Sequence, residues 1–140
     1  MKKIAMVVLL FLAVSLVSVC AETWQEYIQR AQTMTYNVQE GIKIGHWSTW
    51  SYDKWGALMA TYDYLEHVYE NIYLRAPGLS EYERNIYRDI YLRTAQQYKD
   101  MERLLGLAHG GNVNAINRIT NRRSYWFDYL ANREGIISFN

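Results

Sequence analysis

The chain has 140 residues with 15 basic and 14 acidic side chains, so its formal charge at neutral pH is +1. Half of the residues are hydrophobic, and the chain has one cysteine and one proline. A nearly neutral chain does not favour nucleic acid or an anionic membrane as partner, and a single cysteine excludes an internal disulfide framework.

The N-terminus has the order of residues that is typical of a secretory signal peptide. Two lysines precede an apolar run at residues 4–19, and Val19-Cys20-Ala21 provides a cleavage site of the small-residue type. The run of roughly 16 apolar residues is shorter than the ~20 that a spanning helix needs. We therefore expect residues 1–21 to be removed, and the protein to be exported, periplasmic or secreted, without a stable transmembrane anchor.

Cys20 leaves a second route of processing open, in which a lipid is attached to this cysteine. The sequence Leu16-Val17-Ser18-Val19 precedes it at a suitable place, but Val19 is larger than the residue expected before a lipidated cysteine. Cleavage after Ala21 is the favoured prediction. Without Lys2 and Lys3 the chain has 13 basic and 14 acidic residues, a formal charge of −1, and without Cys20 its core must be held by burial alone.

The remaining chain, residues 22–140, is predicted to form a single domain of helices. The sequence Thr23-Trp24-Gln25-Glu26 is a capping box, so helix 1 is predicted to begin there and to end before Gly45. Helix 2 is predicted from near Trp50 to the Pro77-Gly78 turn, because proline and glycine cannot continue it.

A second capping box, at residues 80–83, predicts the start of helix 3, which runs to Ala108 before Gly110-Gly111. Helix 4 is predicted from about Asn112 to Arg133. Because the connections are short, sequential helices are expected to be antiparallel neighbours. The predicted fold is all-α, an up-down-up-down antiparallel four-helix bundle.

The pair Ile-Tyr occurs three times between Asn71 and Arg93, at residues 72–73, 86–87 and 90–91. At 100° per residue, each isoleucine is predicted at the centre of the inward stripe and each tyrosine on its shoulder. The alternative is an open groove between helices 2 and 3 that would suit a peptide or glycan. Its walls would be Tyr62, Tyr69, Tyr73, Tyr87, Tyr91 and Tyr98.

Arg123 falls within the apolar arc of helix 4, and this placement predicts a polar layer inside the bundle. Folding the helices at their turns brings it level with polar residues of helices 2 and 3. The candidate ligand-binding residues of this layer are Arg123, Gln97, Thr94, Tyr98 and Tyr62. A buried guanidinium needs partners for its five donors, so the layer is expected to fix helix register or to bind a polar ligand. Alternatively, the arginine stem packs and its head reaches solvent.

The turns at residues 46–50 and 108–111 are predicted to lie at the same end of the bundle. Trp50 is expected to cap the core there, whereas Trp47 is expected to be exposed. His46 and Trp47 are therefore further candidate ligand-binding residues, at a binding mouth beside flexible glycines.

The sequence indicates no catalytic or metal chemistry. His67 lies among acidic residues, but we expect that face of helix 2 to be solvated, so no metal site is predicted. No inward histidine faces a methionine as a haem would require, and no cofactor is predicted. No serine, histidine and acid set, phosphate-binding loop or inward pair of carboxylates can be assembled, so we predict no catalytic residue and no enzymatic activity.

These patterns predict an exported, non-enzymatic binding or envelope-associated structural protein that recognises a protein, peptide or glycan through an aromatic-rich surface. The alternative is a carrier that binds a small ligand or cofactor inside the bundle around Arg123. The tail at residues 136–140 is apolar enough to pack on the bundle end or to form a homodimer contact.

Overall fold

A computed structural model describes residues 22–133, and within this range the protein is all-helical. The helices are α1 (Trp24–Ile44), α2 (Tyr52–Arg75), α3 (Glu81–Ala108) and α4 (Val113–Arg133), with a 3₁₀ turn at Trp47–Thr49. These four helices confirm the predicted all-α bundle. The predicted signal peptide, Cys20 and the apolar tail lie outside the described residues. Among the helices of residues 22–133, none is both long and apolar enough to cross a membrane.

Side-chain caps begin the helices close to the predicted positions. The hydroxyl of Thr23 accepts a hydrogen bond from the Glu26 amide at 3.1 Å. At α3, the hydroxyl of Ser80 accepts from the Glu83 amide at 3.1 Å, while the Glu83 carboxylate accepts from the Ser80 amide at 3.4 Å. Each cap provides a partner for amides that have none within the helix.

Helix α2 is the central helix, because α1, α3 and α4 all pack against it. Its buried residues lie on most of its circumference, whereas the sequence pattern predicted a single inward stripe. They are Trp55, Gly56, Met59, Ala60, Thr61, Tyr62, Tyr64, Leu65, Val68, Tyr69 and Ile72. A helix that is covered on most sides is expected to be apolar on most sides, so the predicted stripe was too narrow.

The core consists of two clusters that follow α2. The first contains the C-terminal half of α2 together with Tyr27 and Ala31 of α1. The second contains Trp50, Trp55, Met59, Tyr62, Met101, Leu105 and Ile119. Helix α1 therefore places its buried side chains only in the first cluster. In the second cluster, Met101 and Leu105 of α3 and Ile119 of α4 pack with residues of α2.

The Ile-Tyr pairs follow the prediction only in part. In α2, Ile72 is fully buried and Tyr73 is half-buried, as expected. In α3, Ile86 is 40% exposed, whereas Tyr87 is half-buried and packs against the first cluster. The inward face of α3 is centred on its buried residues, Thr94, Met101 and Leu105. At 100° per residue Ile86 lies about 80° from Thr94 and Tyr87 only about 20° from it, so the prediction displaced the inward face.

A side chain of α3 closes the hairpin between α2 and α3. The guanidinium of Arg84 donates to the carbonyl of Tyr73 at 2.5 Å and to that of Ala76 at 2.9 Å. Carbonyls in the last turn of a helix lack partners within it, and the negative end of the helix dipole favours a cation. Gly78, with φ of 75°, then reverses the chain after Pro77. The end of α2 is thereby fixed to the start of α3.

Gly56 allows α4 to lie close against α2. A Cβ atom at this position would lie 3.2 Å from Cδ1 of Trp126 and 3.5 Å from Cβ of Arg122. A Cβ atom at Gly41, in α1, would have no neighbour within 4 Å. The ring of Trp126 therefore occupies the space that a larger residue on α2 would need.

Replacing Gly56 with leucine should lower the free energy of unfolding by about 1–3 kcal/mol, because the new side chain must displace Trp126. Helix propensity alone favours leucine over glycine by roughly 0.5–1 kcal/mol, so a loss of stability must come from the close packing of α4 against this position. Gly41→Leu is the matched control and should leave stability equal or higher. Urea unfolding monitored by circular dichroism measures both variants, and equal effects would contradict this close packing.

Candidate functional site

The residues of the predicted polar layer lie in separate places in the structure. Thr94 and Gln97 line a groove between α1 and α3. Tyr98 lies beside Arg123, whose Cζ is 5.4 Å from the centre of the tyrosine ring. Tyr62 is buried in the second core cluster. Residues 97 and 98 point about 100° apart on α3, so the five residues do not form one continuous layer.

Arg123 is half-buried, and its contact is a cation–π interaction instead of the predicted polar network. Thr94 does not donate to the layer, because its hydroxyl donates to the carbonyl of Ile90 in its own helix at 2.8 Å. The hydroxyl of Tyr98 is buried without a hydrogen-bond partner within residues 22–133. The guanidinium of Arg123 is therefore stabilised by the ring of Tyr98.

The alternative groove between α2 and α3 is filled by its own tyrosines. Tyr62 and Tyr69 are core residues. Tyr87 and Tyr91 pack against the first cluster, and Tyr98 packs against the second. The open groove lies instead between α1 and α3, with Tyr69 of α2 in its lining.

We call this space the α1/α3 groove, and its volume is about 300 Å³. Most of its lining residues have a neutral amide or hydroxyl group, and Arg93 is the charged member. The lining residues are Gln32, Thr35, Tyr36 and Gln39 of α1, Tyr69 of α2, and Ile90, Arg93, Thr94 and Gln97 of α3. Such a surface offers many hydrogen-bond donors and acceptors with little net charge.

A hydrogen bond between Thr35 and Tyr69 fixes one wall of the groove against the central helix. The Thr35 hydroxyl lies 2.8 Å from the carbonyl oxygen of Ala31 and 2.7 Å from the hydroxyl of Tyr69. A carbonyl can only accept, so Thr35 donates its one proton to Ala31 and accepts from Tyr69. Tyr69 is 1% exposed, and this burial raises its pKa.

A second tyrosine connects α1 to α2 two turns earlier. Tyr27 is buried, and its hydroxyl accepts a hydrogen bond from the side-chain amide of Asn71 at 3.4 Å. The Asn71 carbonyl in turn accepts from Arg75 at 2.6 Å. Burial raises the pKa of Tyr27, with the hydrogen bond from Asn71 acting in the opposite direction. The two tyrosine bonds together set the position of α1 along α2, and hence the width of the groove.

The predicted binding mouth is only partly present. The ring of Tyr52 lies 5.3 Å from that of His109, and the 3₁₀ turn packs against α3, so the two turns do meet at one end. Trp50 is buried and caps the core, as predicted. Trp47 was predicted to be exposed, but it is half-buried against the second cluster because the 3₁₀ turn places it there. His46 is exposed.

The acidic surroundings of His67 are an exposed surface of α2, as predicted. Its ring nitrogens lie 3.7 Å from the Asp63 carboxylate and 4.0 Å from that of Glu70, and the side chain is 62% exposed. In residues 22–133, no cluster of three or more histidine, cysteine or acidic side chains is placed to hold a metal ion.

Sequence reasoning missed the α1 wall of the groove. Gln32, Tyr36 and Gln39 recur at helical spacing on one face of α1, and this spacing was the available signal. Their face lies beside the apolar stripe, where polar residues are usually only solvated. Comparison with protein-family models, with curated proteins and with solved structures finds no match for this chain.

Replacing Thr35 with valine should lower the free energy of unfolding by about 1–3 kcal/mol, because the buried Tyr69 hydroxyl loses its acceptor. Adding Tyr69→Phe removes the unpaired hydroxyl, so the double variant should be more stable than Thr35→Val alone. Thr33→Val is the matched control, since exposed Thr33 also donates to the carbonyl four residues earlier, at 3.0 Å. Denaturant unfolding of all variants measures the coupling, and simple additivity would argue against this bond.

Burial raises the pKa of Tyr27, Tyr62 and Tyr69 above the ordinary value of 10.0. The unfolded chain therefore loses these protons at lower pH than the folded protein does. The contribution of these tyrosines to stability should be constant below about pH 10 and decrease above it, by up to about 1.4 kcal/mol per pH unit for each tyrosine. Urea unfolding between about pH 9 and 11 measures this slope. Tyr62→Phe should make it shallower, and an unchanged slope would contradict the burial of this hydroxyl.

Proposed function

We propose that this protein is an exported, non-enzymatic binding protein that holds an extended peptide segment of an envelope protein in the α1/α3 groove. The observation that carries the proposal is the lining of that groove, which includes three glutamines, two threonines and Tyr69. A side-chain amide has donors and an acceptor, as a peptide group does, so each glutamine can bond a backbone unit in either sense.

The spacing of the glutamines suits an extended chain. Gln32 and Gln39 are seven residues apart, which places them on one face of α1 and about 10 Å apart along its axis. Three residues of an extended peptide span about the same distance. Gln97 faces this row from α3. Tyr36, which is exposed at the rim, provides a rigid aromatic surface for a side chain of the bound segment.

Export after cleavage behind Ala21 is part of the proposal, as is an up-down-up-down path of the chain. Cleavage at that point would leave α1 complete with its cap at Thr23. It would also leave Glu22, whose carboxylate pairs with Arg30 at 2.7 Å. The new N-terminus would thus begin at a residue that is already held against α1.

The carrier hypothesis draws less support from the structure. It needs polar groups that face an interior space around Arg123. The ring of Tyr98 lies beside that guanidinium, and Tyr62 is packed in the core. The carrier function stays a prediction. A purified protein that is coloured, or that contains a bound small molecule, would support it.

Site-specific photo-crosslinking tests the peptide proposal. The residue benzoylphenylalanine is placed at position 97, in the groove, or at position 96, in chains produced in their native envelope. Gln96 is the matched control, because it is exposed and donates to Asp100 at 3.3 Å instead of lining the groove. We expect a covalently attached polypeptide from position 97 and none from position 96. Combining Gln32→Ala with Gln39→Ala should abolish that product.

Mass spectrometry of the crosslinked product distinguishes the outcomes. A polypeptide attached only at position 97, and lost in the double alanine variant, supports the proposal. Equal products at both positions, or none at position 97, would contradict it. If a carbohydrate is attached at position 97 instead, the ligand of this groove is a glycan and the peptide proposal is wrong.

A further inference from the structure

Helix α4 differs from the other helices in its charge. It contains four arginines and one aspartate, a formal charge of +3. Helix α2, against which it packs, has two basic and four acidic residues, a charge of −2, while α1 and α3 are each balanced. Helix α4 thus has the most positive formal charge of the four described helices. Such a helix favours an anionic partner.

Two arginines of α4, Arg118 and Arg122, are exposed and available to a ligand. Arg122 forms an ion pair with Asp53 of α2, and both side chains are more than half exposed. An exposed ion pair is worth little in water, so either member can exchange its partner for a ligand group. Arg118 is exposed, with its Cζ 5.2 Å from the ring of Tyr52, and has no carboxylate within ion-pair distance in residues 22–133.

An aromatic surface adjoins this ion pair. Tyr125 is 65% exposed and Tyr129 is 40% exposed. Their rings meet that of Trp126 edge to face, with centres 5.5 Å and 5.3 Å away. These contacts restrain the ring orientations, and Tyr125 remains largely exposed. Asp53, Arg122, Tyr125 and Trp126 line a groove of about 420 Å³, which we call the α4 groove.

We propose that the α4 groove binds an acidic carbohydrate whose sugar residues have carboxylates, as uronates do. The groove contains a carboxylate, which only accepts hydrogen bonds, and a guanidinium, which only donates them. A complementary ligand therefore needs donors for Asp53 as well as negative charge for Arg122 and Arg118. A sugar acid supplies hydroxyl groups for the first and carboxylates for the second. The C–H faces of its rings also match the exposed ring of Tyr125, which lies beside half-buried Trp126.

An acidic peptide matches this groove less well. Its carboxylate side chains satisfy the arginines and its backbone N–H groups can donate to Asp53, but it has no flat C–H ring face to lie on the exposed ring of Tyr125. The α4 groove shares no lining residue with the α1/α3 groove, so the two sites can be tested independently. A protein with both sites would connect a polypeptide to an acidic polysaccharide.

Isothermal titration of residues 22–140 with hexagalacturonate tests the proposal, with maltohexaose and hexaglutamate as comparison ligands of matched length. We expect hexagalacturonate to bind, more weakly as salt is added, and the other two to bind at least about tenfold more weakly. Tyr125→Ala and Arg122→Gln should each weaken hexagalacturonate binding about tenfold, whereas Tyr125→Phe should retain it.

Two control variants have the same changes, tyrosine to alanine and arginine to glutamine, at exposed positions of α3. Tyr82→Ala removes a tyrosine that is 76% exposed, and Arg88→Gln removes an exposed arginine, so both should bind as the unsubstituted chain does. Gln97→Ala, in the other groove, should also leave hexagalacturonate binding unchanged. The proposal is overturned if hexagalacturonate does not bind at low ionic strength. It is also overturned if hexaglutamate binds equally well, or if the control variants lose as much affinity as Tyr125→Ala and Arg122→Gln.

Discussion

The burial of α2 is the constraint on which the rest of the structure depends. Three helices cover this one helix, and its side chains at Trp55, Met59, Leu65, Tyr69 and Ile72 are almost completely removed from solvent. Full burial of a large apolar side chain contributes roughly 1.5–3 kcal/mol, so these residues are a major source of stability. The chain has no cysteine after position 20, and disulfides cannot add to this burial in residues 22–133. Close approach is part of the same constraint, because Gly56 lets α4 reach α2.

An arrangement around one helix also determines where ligands can bind. The outer helices need not fill the spaces between one another, since their apolar faces are already covered by α2. The α1/α3 groove is such a space, and hydroxyl groups in its lining, at Thr35 and Tyr69, bond to each other across two helices. The α4 groove lies where a basic helix meets the acidic α2. Both proposed binding grooves thus consist of polar and aromatic groups beside a closely packed core.

Sequence patterns predicted the helices well because their signals are local. The capping residues Thr23 and Ser80 and the Pro77-Gly78 turn act through neighbouring backbone groups, so their effects can be read without knowing the tertiary fold. The central place of α2 is not local. Its many tyrosines are amphipathic and fit either a buried or a half-exposed position, so its periodicity looked like one stripe. Three other predictions were wrong for the same reason, since each depends on where a neighbouring helix lies. They concern the burial of Ile86, the exposure of Trp47, and the placement of Arg123 and Gln97 in one layer. The α1 wall was missed because polar residues beside a stripe look like ordinary surface.

Amide hydrogen exchange on residues 22–140 tests the central role of α2 most directly. Amides between Met59 and Tyr69 should exchange only through global unfolding, so the free energy of opening measured at these amides should equal the free energy of unfolding. Helix α1 has only Tyr27 and Ala31 fully buried, and its amides beyond Tyr36 should exchange through local opening at a lower free energy. Protection of α1 that equals or exceeds that of α2, or local exchange in the middle of α2, would contradict a fold held together by its second helix.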